Sequence, residues 1–199
     1  MAALPDVRRA SDDAYVEEAN ALFSEATAAA LDGFSRPAIS LSGGLDSQAV
    51  AAHAIRQRLG QPLYSFTGVP EPGWDGRTYA GAFGDERRHV EALAALYPEL
   101  QPVFADAAGL SFDYKQQALF MLGGMPPRNA LNFHWIHEVY RLARERDCDV
   151  MLDGGFGNAS FSFSGDGAMP HWLASGQWPR LWREPVSYTH LTLPTTSRV

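Results

Sequence analysis

Ser42-Gly43-Gly44-Leu45-Asp46-Ser47 places two hydroxyls, two glycines and a carboxylate in one short stretch. Those residue types suit an oxyanion. Glycine lets the backbone bend sharply and approach a phosphate with no Cβ in the way. Ser42 and Ser47 add O–H donors, and Asp46 offers a hard oxygen to a cation bridging phosphates. The stretch follows a short apolar run, Pro37-Ala38-Ile39, and leads into Gln48 to Arg56, which reads as a helix. Strand, glycine turn and helix in that order aim backbone N–H groups and a helix N-terminus at one anion. The alternative is an ordinary strand-to-helix turn with a serine cap. No lysine follows the glycines, so the stretch is not a Walker loop.

The motif resembles the Ser-Gly-Gly-x-Asp-Ser pyrophosphate loop of the ATP pyrophosphatases, which split ATP between the α and β phosphates. Such a loop needs a parallel sheet to hold it, and the neighbouring sequence supplies the parts. Tyr15, Ala19, Leu22, Phe23, Ala26, Ala30 and Leu31 recur at helical spacing over residues 12–31. Gly60-Gln61-Pro62 stops the helix after the loop, and Leu63 to Thr67 reads as a second strand. Two strands joined by a helix predict a parallel βαβ unit, with the end of the second strand beside the phosphate loop. Backbone groups near Thr67 are therefore placed to meet an adenine.

Residues 68–84 are rich in glycine and proline and form a long loop, in which Trp74, Tyr79 and Phe83 are expected to pack rather than face water. Asp85-Glu86 opens another helix, carrying Val90, Leu93, Ala94 and Tyr97, with acids in the first turn suiting the helix dipole. Gln101 to Phe104 is a third strand, and residues 113–122 are weakly helical. Phe133 to Arg146 is an amphipathic helix on which His134 and His137 read as polar or packing residues, since no third metal ligand is in sight. Asp149 to Leu152 is a fourth strand. It runs into a second glycine turn, Asp153-Gly154-Gly155-Phe156-Gly157-Asn158. Strand ends on one edge of a parallel sheet share a rim, so this turn is placed to face the first across a nucleotide; a plain β-turn is the alternative.

The chain has 199 residues, 46% hydrophobic and 20% charged, which is an ordinary globular composition for one domain. A net charge of −7 argues against a nucleic-acid partner held on a basic surface. Cys148 is the only cysteine, so an internal disulfide and a cysteine zinc cluster are both excluded. With no membrane-length apolar run and no signal-type N-terminus, the expected location is cytoplasmic and away from the membrane. From Val186 onward threonines crowd in and acids cease; residues 186–199 resemble the translation of a sequencing adapter and are expected to be non-native. Residues 1–185 are then expected to form the folded, truncated domain.

Taken together, the two loops, the helix before the first and the Asp85-Glu86 helix start resemble the synthetase domain of asparagine synthetase-like enzymes, from about residue 14 to 185. The resemblance implies a Rossmann-like α/β fold of the adenine nucleotide alpha hydrolase type. It implies ATP and Mg2+ as cofactors, with the nucleotide contacting Leu41, Ser42, Gly43, Gly44, Leu45, Asp46, Ser47, Thr67, Asp153 and Gly154. Leu41 and Thr67 would meet the adenosine end through the backbone. Asp46 matches a magnesium-binding aspartate and is the expected catalytic residue. The implied reaction activates a substrate carboxylate, on a small molecule or peptide, as an acyl-adenylate, then passes it to ammonia or an amine. Two departures stand out. Asn158 and Ala159 occupy positions where the family carries Asp-Glu, so Asn158 is a weak second metal ligand, and Gly157 to Ser162 is similar to a divergent branch. An N-terminal glutaminase with a cysteine nucleophile is not expected in this chain, since Met1 is followed by Ala2. Another pyrophosphate-loop enzyme, or a nucleotide-binding protein without catalysis, is the alternative.

Overall fold

Pro37, Ala38 and Ile39 are all buried, and the strand they begin, β1 (Pro37–Ser40), is the centre of the sheet. A computed structural model describes residues 8–58, 60–78, 83–126, 130–155, 157, 162 and 168–183. Successive strand residues point to opposite faces, so Ala38 and Ile39 each need a cover. Among the described residues β1 pairs in parallel with β2 (Leu63–Gly68) on one side and with β4 (Val150–Leu152) on the other, while β3 (Leu100–Ala105) pairs with β2. The order is β3-β2-β1-β4. Ile39 lies opposite Ser65 on one flank and Leu152 on the other.

The helices cover both faces. Ile39, Leu63, Leu100 and Leu152 pack with Ala51, Ala54 and Ile55 of α2 (Leu45–Gln57) and with Val90 and Leu93 of α3 (Arg87–Leu96). Ala38, Phe66 and Ala105 face the other way, onto Val139 and Ala143 of α5 (Phe133–Glu145). This is a parallel sheet buried on both sides, the arrangement that βαβ crossovers enforce. It bears out the expected α/β, Rossmann-like fold.

The first helix, α1 (Asp12–Leu31), is capped by Ser11, whose Oγ accepts from the Ala14 N–H at 3.2 Å. It packs on α2, and its contact face differs from the one expected. Thr27 and Leu31 are buried and Phe23 stacks on His53 at 4.7 Å, a row at i, i+4 and i+8, whereas Tyr15 and Leu22 stay exposed. Thr27 tolerates burial because its hydroxyl donates back to the Phe23 carbonyl at 2.8 Å. His53 is 7% exposed and its Nδ1 meets Ser24 Oγ at 2.8 Å.

Burial pushes the His53 pKa down, and Arg56 adds to the shift. The folded state thus prefers the neutral ring, while the unfolded chain takes up a proton near the ordinary histidine value of about 6.5. The His53 contribution is complete above that pH and is lost as pH falls below it. Urea midpoints at pH 7.5 and 5.5 are expected to differ less in His53→Gln than in the parent chain. Equal shifts in the two proteins would contradict this.

Between β3 and α5 lie α4 (Gln116–Gly123) and a short 3-10 turn (Ala130–Asn132). The loop before α3 corrects an expectation: Trp74 is 40% and Phe83 62% exposed, and Tyr79 lies outside the described residues. Phe83 stays at the surface because its ring is held by His89 edge-on at 4.8 Å and by the Arg88 guanidinium at 4.9 Å.

The chain divides into two compact units. The first, residues 1–77 and 83–155, holds the sheet and both of its covers. The second, residues 78–82 and 156–199, contains α6 (Ala168–Ala174) and α7 (Trp178–Arg183), with Trp178 and Trp182 exposed. The adapter-like residues 186–199 lie outside the described residues. No described helix is long and apolar enough to cross a membrane.

Candidate functional site

The carboxyl ends of β1, β2 and β4 come together with the start of α2. Between β1 and β4 the connection order reverses, which is where open α/β sheets bind ligands. Leu41 continues β1 by donating its N–H to the Phe66 carbonyl at 2.9 Å, and its own carbonyl accepts from Thr67 Oγ1 at 2.8 Å. Leu41 and Thr67 are nearly fully buried. They tie β1 to β2 beneath the loop, with their polar groups already engaged in that tie.

The loop closes on its two serines. Ser42 Oγ and Ser47 Oγ are 2.9 Å apart, the Ser42 N–H donates to Ser47 Oγ at 3.0 Å, and the Gly44 N–H donates to Ser42 Oγ at 3.2 Å. Gly44 is the N-cap of α2 and makes no side-chain cap hydrogen bond. The N–H groups of the first turn, from Leu45, Asp46 and Ser47, therefore present the positive end of the helix without a side-chain acceptor on it. Leu45 is 82% exposed, so the backbone is what it brings to the site. Asp46 is half-buried in that same turn.

The second glycine turn sits directly on this one. A Cβ added at Gly154 would lie 2.5 Å from the Ser47 nitrogen and 2.8 Å from its Cα. Only glycine permits so close an approach of the β4 end to the first turn of α2. Asp153 is exposed, and its carboxylate accepts from the Gly155 N–H at 2.6 Å, which fixes the turn. Upstream, Asp149 anchors the entry to β4 by accepting from the Ser35 and Arg36 N–H groups at 2.7 and 3.0 Å. Leu41, Ser42 to Ser47, Thr67, Asp153 and Gly154 are thus gathered on one rim. Asn158 lies outside the described residues.

Sequence reasoning missed several residues here. Glu86 and His89, one turn apart at the start of α3, close over Gly43. The His89 ring would be 3.1 Å from a Cβ there, and the Glu86 carboxyl lies against the Gly43 N–H. Burial pushes the Glu86 pKa up, and the Gly43 N–H and His89 offset this in part. Asp85-Glu86 was legible only as a helix start, because its target is a loop distant in sequence. Trp135 of α5 packs against Gly68, whose Cβ would meet the ring at 2.8 Å. His134, read as a polar or packing residue, lines the cleft and donates from Nδ1 to the Leu131 carbonyl at 2.9 Å. His137 does pack, between the Tyr114 and Phe133 rings, and burial lowers its pKa.

Of these groups, Leu41, Ser42, Gly68, Glu86, His134 and Trp135 border a cleft of about 360 Å³, with Glu71 and Asp106 also in its lining. Among the described residues its charged lining is acidic, with no lysine or arginine. A polyphosphate here would rely on backbone N–H groups and a cation for its neutralisation. Among the described residues no cluster of three or more His, Cys, Asp or Glu side chains could hold a metal unaided. Asp46 in the first turn of α2 offers one carboxylate, and Mg2+ commonly takes one or two carboxylates plus substrate phosphates rather than a protein cage.

A family profile described as Asparagine synthase matches residues 18–183, which is most of the chain and spans the whole rim. The chain belongs to the asparagine synthase family. No curated protein matches it. Membership of the asparagine synthase family makes the chain part of an ATP-dependent, amide-forming synthetase family whose members generally use ATP with Mg2+. The all-parallel sheet is of the kind this domain has.

Proposed function

We propose that the chain binds ATP across this rim and joins a carboxylate to an amine through an acyl-adenylate. The observation that carries the reading is the contact of Gly154 with the uncapped first turn of α2, which puts both glycine turns at the sheet's switch point. The triphosphate lies over the N–H groups of Leu45 to Ser47, with Ser42 and Ser47 turning their hydroxyls from each other to it. Leu41 and Thr67 form the floor under the adenosine, and Asp153 and Gly154 border the nucleotide from β4.

In the first step a carboxylate oxygen of the substrate attacks the α-phosphorus, and the bond to the bridging oxygen breaks, releasing pyrophosphate. In the second the amine nitrogen attacks the acyl carbon, AMP leaves, and the nitrogen loses its proton. Asp46, together with the phosphates, would hold Mg2+, and the ion would supply charge neutralisation there. The loop N–H groups act by oriented dipoles and positioning, which need no protein acid or base. Glu86 holds Gly43, and hence the loop, in place. The acidic lining disfavours a nucleic-acid partner and suits an approaching amine; a small molecule or peptide supplies the carboxylate. The cytoplasm, where ATP is abundant, is the compartment this chemistry fits. The test is carboxylate-dependent exchange of labelled pyrophosphate into ATP.

A further inference from the structure

A second cleft of about 340 Å³ opens at the opposite, amino edge of the same sheet. Its lining comes from the entries to β1 and β2 and the end of α5: Arg36, Arg58, Gln61, Tyr64 and Arg146. Three guanidiniums border one small cleft that, among the described residues, no carboxylate lines, in a chain whose net charge is −7. Like charges brought together in this way repel, and a bound anion relieves that repulsion.

The Arg58 and Arg146 guanidiniums are each held by hydrogen bonds to neighbouring carbonyls. Arg58 Nη2 donates to the Ser35 carbonyl at 3.0 Å and to Gln61 Oε1 at 2.6 Å, while its Nε is buried with no hydrogen-bond partner. Arg146 Nη1 donates to the Leu142 carbonyl at 3.1 Å, and its guanidinium sits 5.9 Å from the Tyr64 and Phe66 ring centroids. Neither Arg58 nor Arg146 has a carboxylate partner among the described residues. Arg36 does pair with Asp147, at 3.0 Å, but that bridge is solvent-exposed and worth little. The nearby Asp149 carboxylate is spent on the Ser35 and Arg36 N–H groups. A guanidinium without a carboxylate partner favours an oxyanion, whose charge-assisted hydrogen bonds are the strong ones.

We propose that this amino-edge cleft binds a compact small-molecule polyanion, phosphorylated or polycarboxylate, through Arg58 and Arg146 with Arg36 at the mouth. The cleft is large enough for a metabolite-sized ligand. It is distinct from the phosphate rim, since the two lie at opposite ends of β1 and β2. Preset planar guanidiniums favour bidentate oxyanion contacts, and little side-chain freedom is lost on binding.

The experiment follows backbone amide and arginine Nε–H resonances of the full chain while citrate, and separately inorganic pyrophosphate, is added. Saturable shifts at Arg58 and Arg146 are expected with at least one probe. Arg146→Gln should weaken that binding about tenfold, and Arg36→Gln less, with ATP affinity unchanged in both. Should Arg146→Gln not fold, Arg146→Lys serves, because it keeps the charge and loses the fork. No saturable shift at Arg58 and Arg146 with either probe overturns the proposal. So does binding that is undiminished in the Arg146 variant, or shifts confined to residues of the Ser42–Ser47 loop.

Discussion

Asp46→Asn is expected to lower carboxylate-dependent pyrophosphate exchange by about 10²-fold or more, the scale on which groups stabilising transition-state charge act. The fold should survive. Asp46 lies in the first turn of α2, where a carboxylate adds only about 0.3–1 kcal/mol through the helix dipole. The isosteric amide therefore leaves the helix in place and removes the hard ligand and its charge. Raising Mg2+ should recover part of the lost rate, because an amide oxygen is a poorer partner for a hard cation, though still an oxygen. A near-parental melting curve beside a collapsed exchange rate separates the two effects. Full exchange in Asp46→Asn would show that the carboxylate has no part in the chemistry.

Gly154→Ala is expected to damage both stability and nucleotide binding. The new Cβ would stand 2.5 Å from the Ser47 nitrogen and 2.9 Å from the Asp46 carbonyl carbon. These are backbone atoms, so no rotamer change relieves the clash; either α2 or the β4 turn must move. Overpacking of this kind costs about 1–3 kcal/mol, or about 2–12 °C in melting temperature for a chain of this size. Displacing the turn also covers the Ser47 N–H, so ATP affinity should fall about tenfold or more. Gly43→Ala and Gly155→Ala make useful controls. Their Cβ atoms would meet the His89 ring at 3.1 Å and Asp153 Oδ1 at 2.6 Å, both movable side-chain groups. Both should be milder than Gly154→Ala in melting temperature, and a Gly154→Ala protein as stable as these controls would contradict the close contact.

Much of this rim was readable from residue types alone. Glycines, serines and an aspartate between a buried apolar run and a helix specify a strand-turn-helix locally, so β1, the loop and α2 appeared where expected. The strand ending at Leu152 and its Asp153-Gly154 turn were legible for the same reason. What could not be read depends on contacts between distant segments. That β4 pairs with β1, placing Gly154 against Ser47, follows from sheet order, which local periodicity does not encode. The same holds for Glu86 and His89 over Gly43, for Trp135 on Gly68 and for the arginines of the amino-edge cleft. In α1 the apolar pattern misled, because the helix packs chiefly on α2 through the Phe23-Thr27-Leu31 row, and Thr27 buries itself by bonding to its own backbone.

The most direct measurement is exchange of labelled pyrophosphate into ATP by the full chain with Mg2+, with and without a panel of amino-acid and peptide carboxylates. Exchange that appears only with a carboxylate, and that is lost in Asp46→Asn, is the predicted result. Tight ATP binding with no exchange under any carboxylate would contradict acyl-adenylate formation and leave the rim a nucleotide-binding site alone.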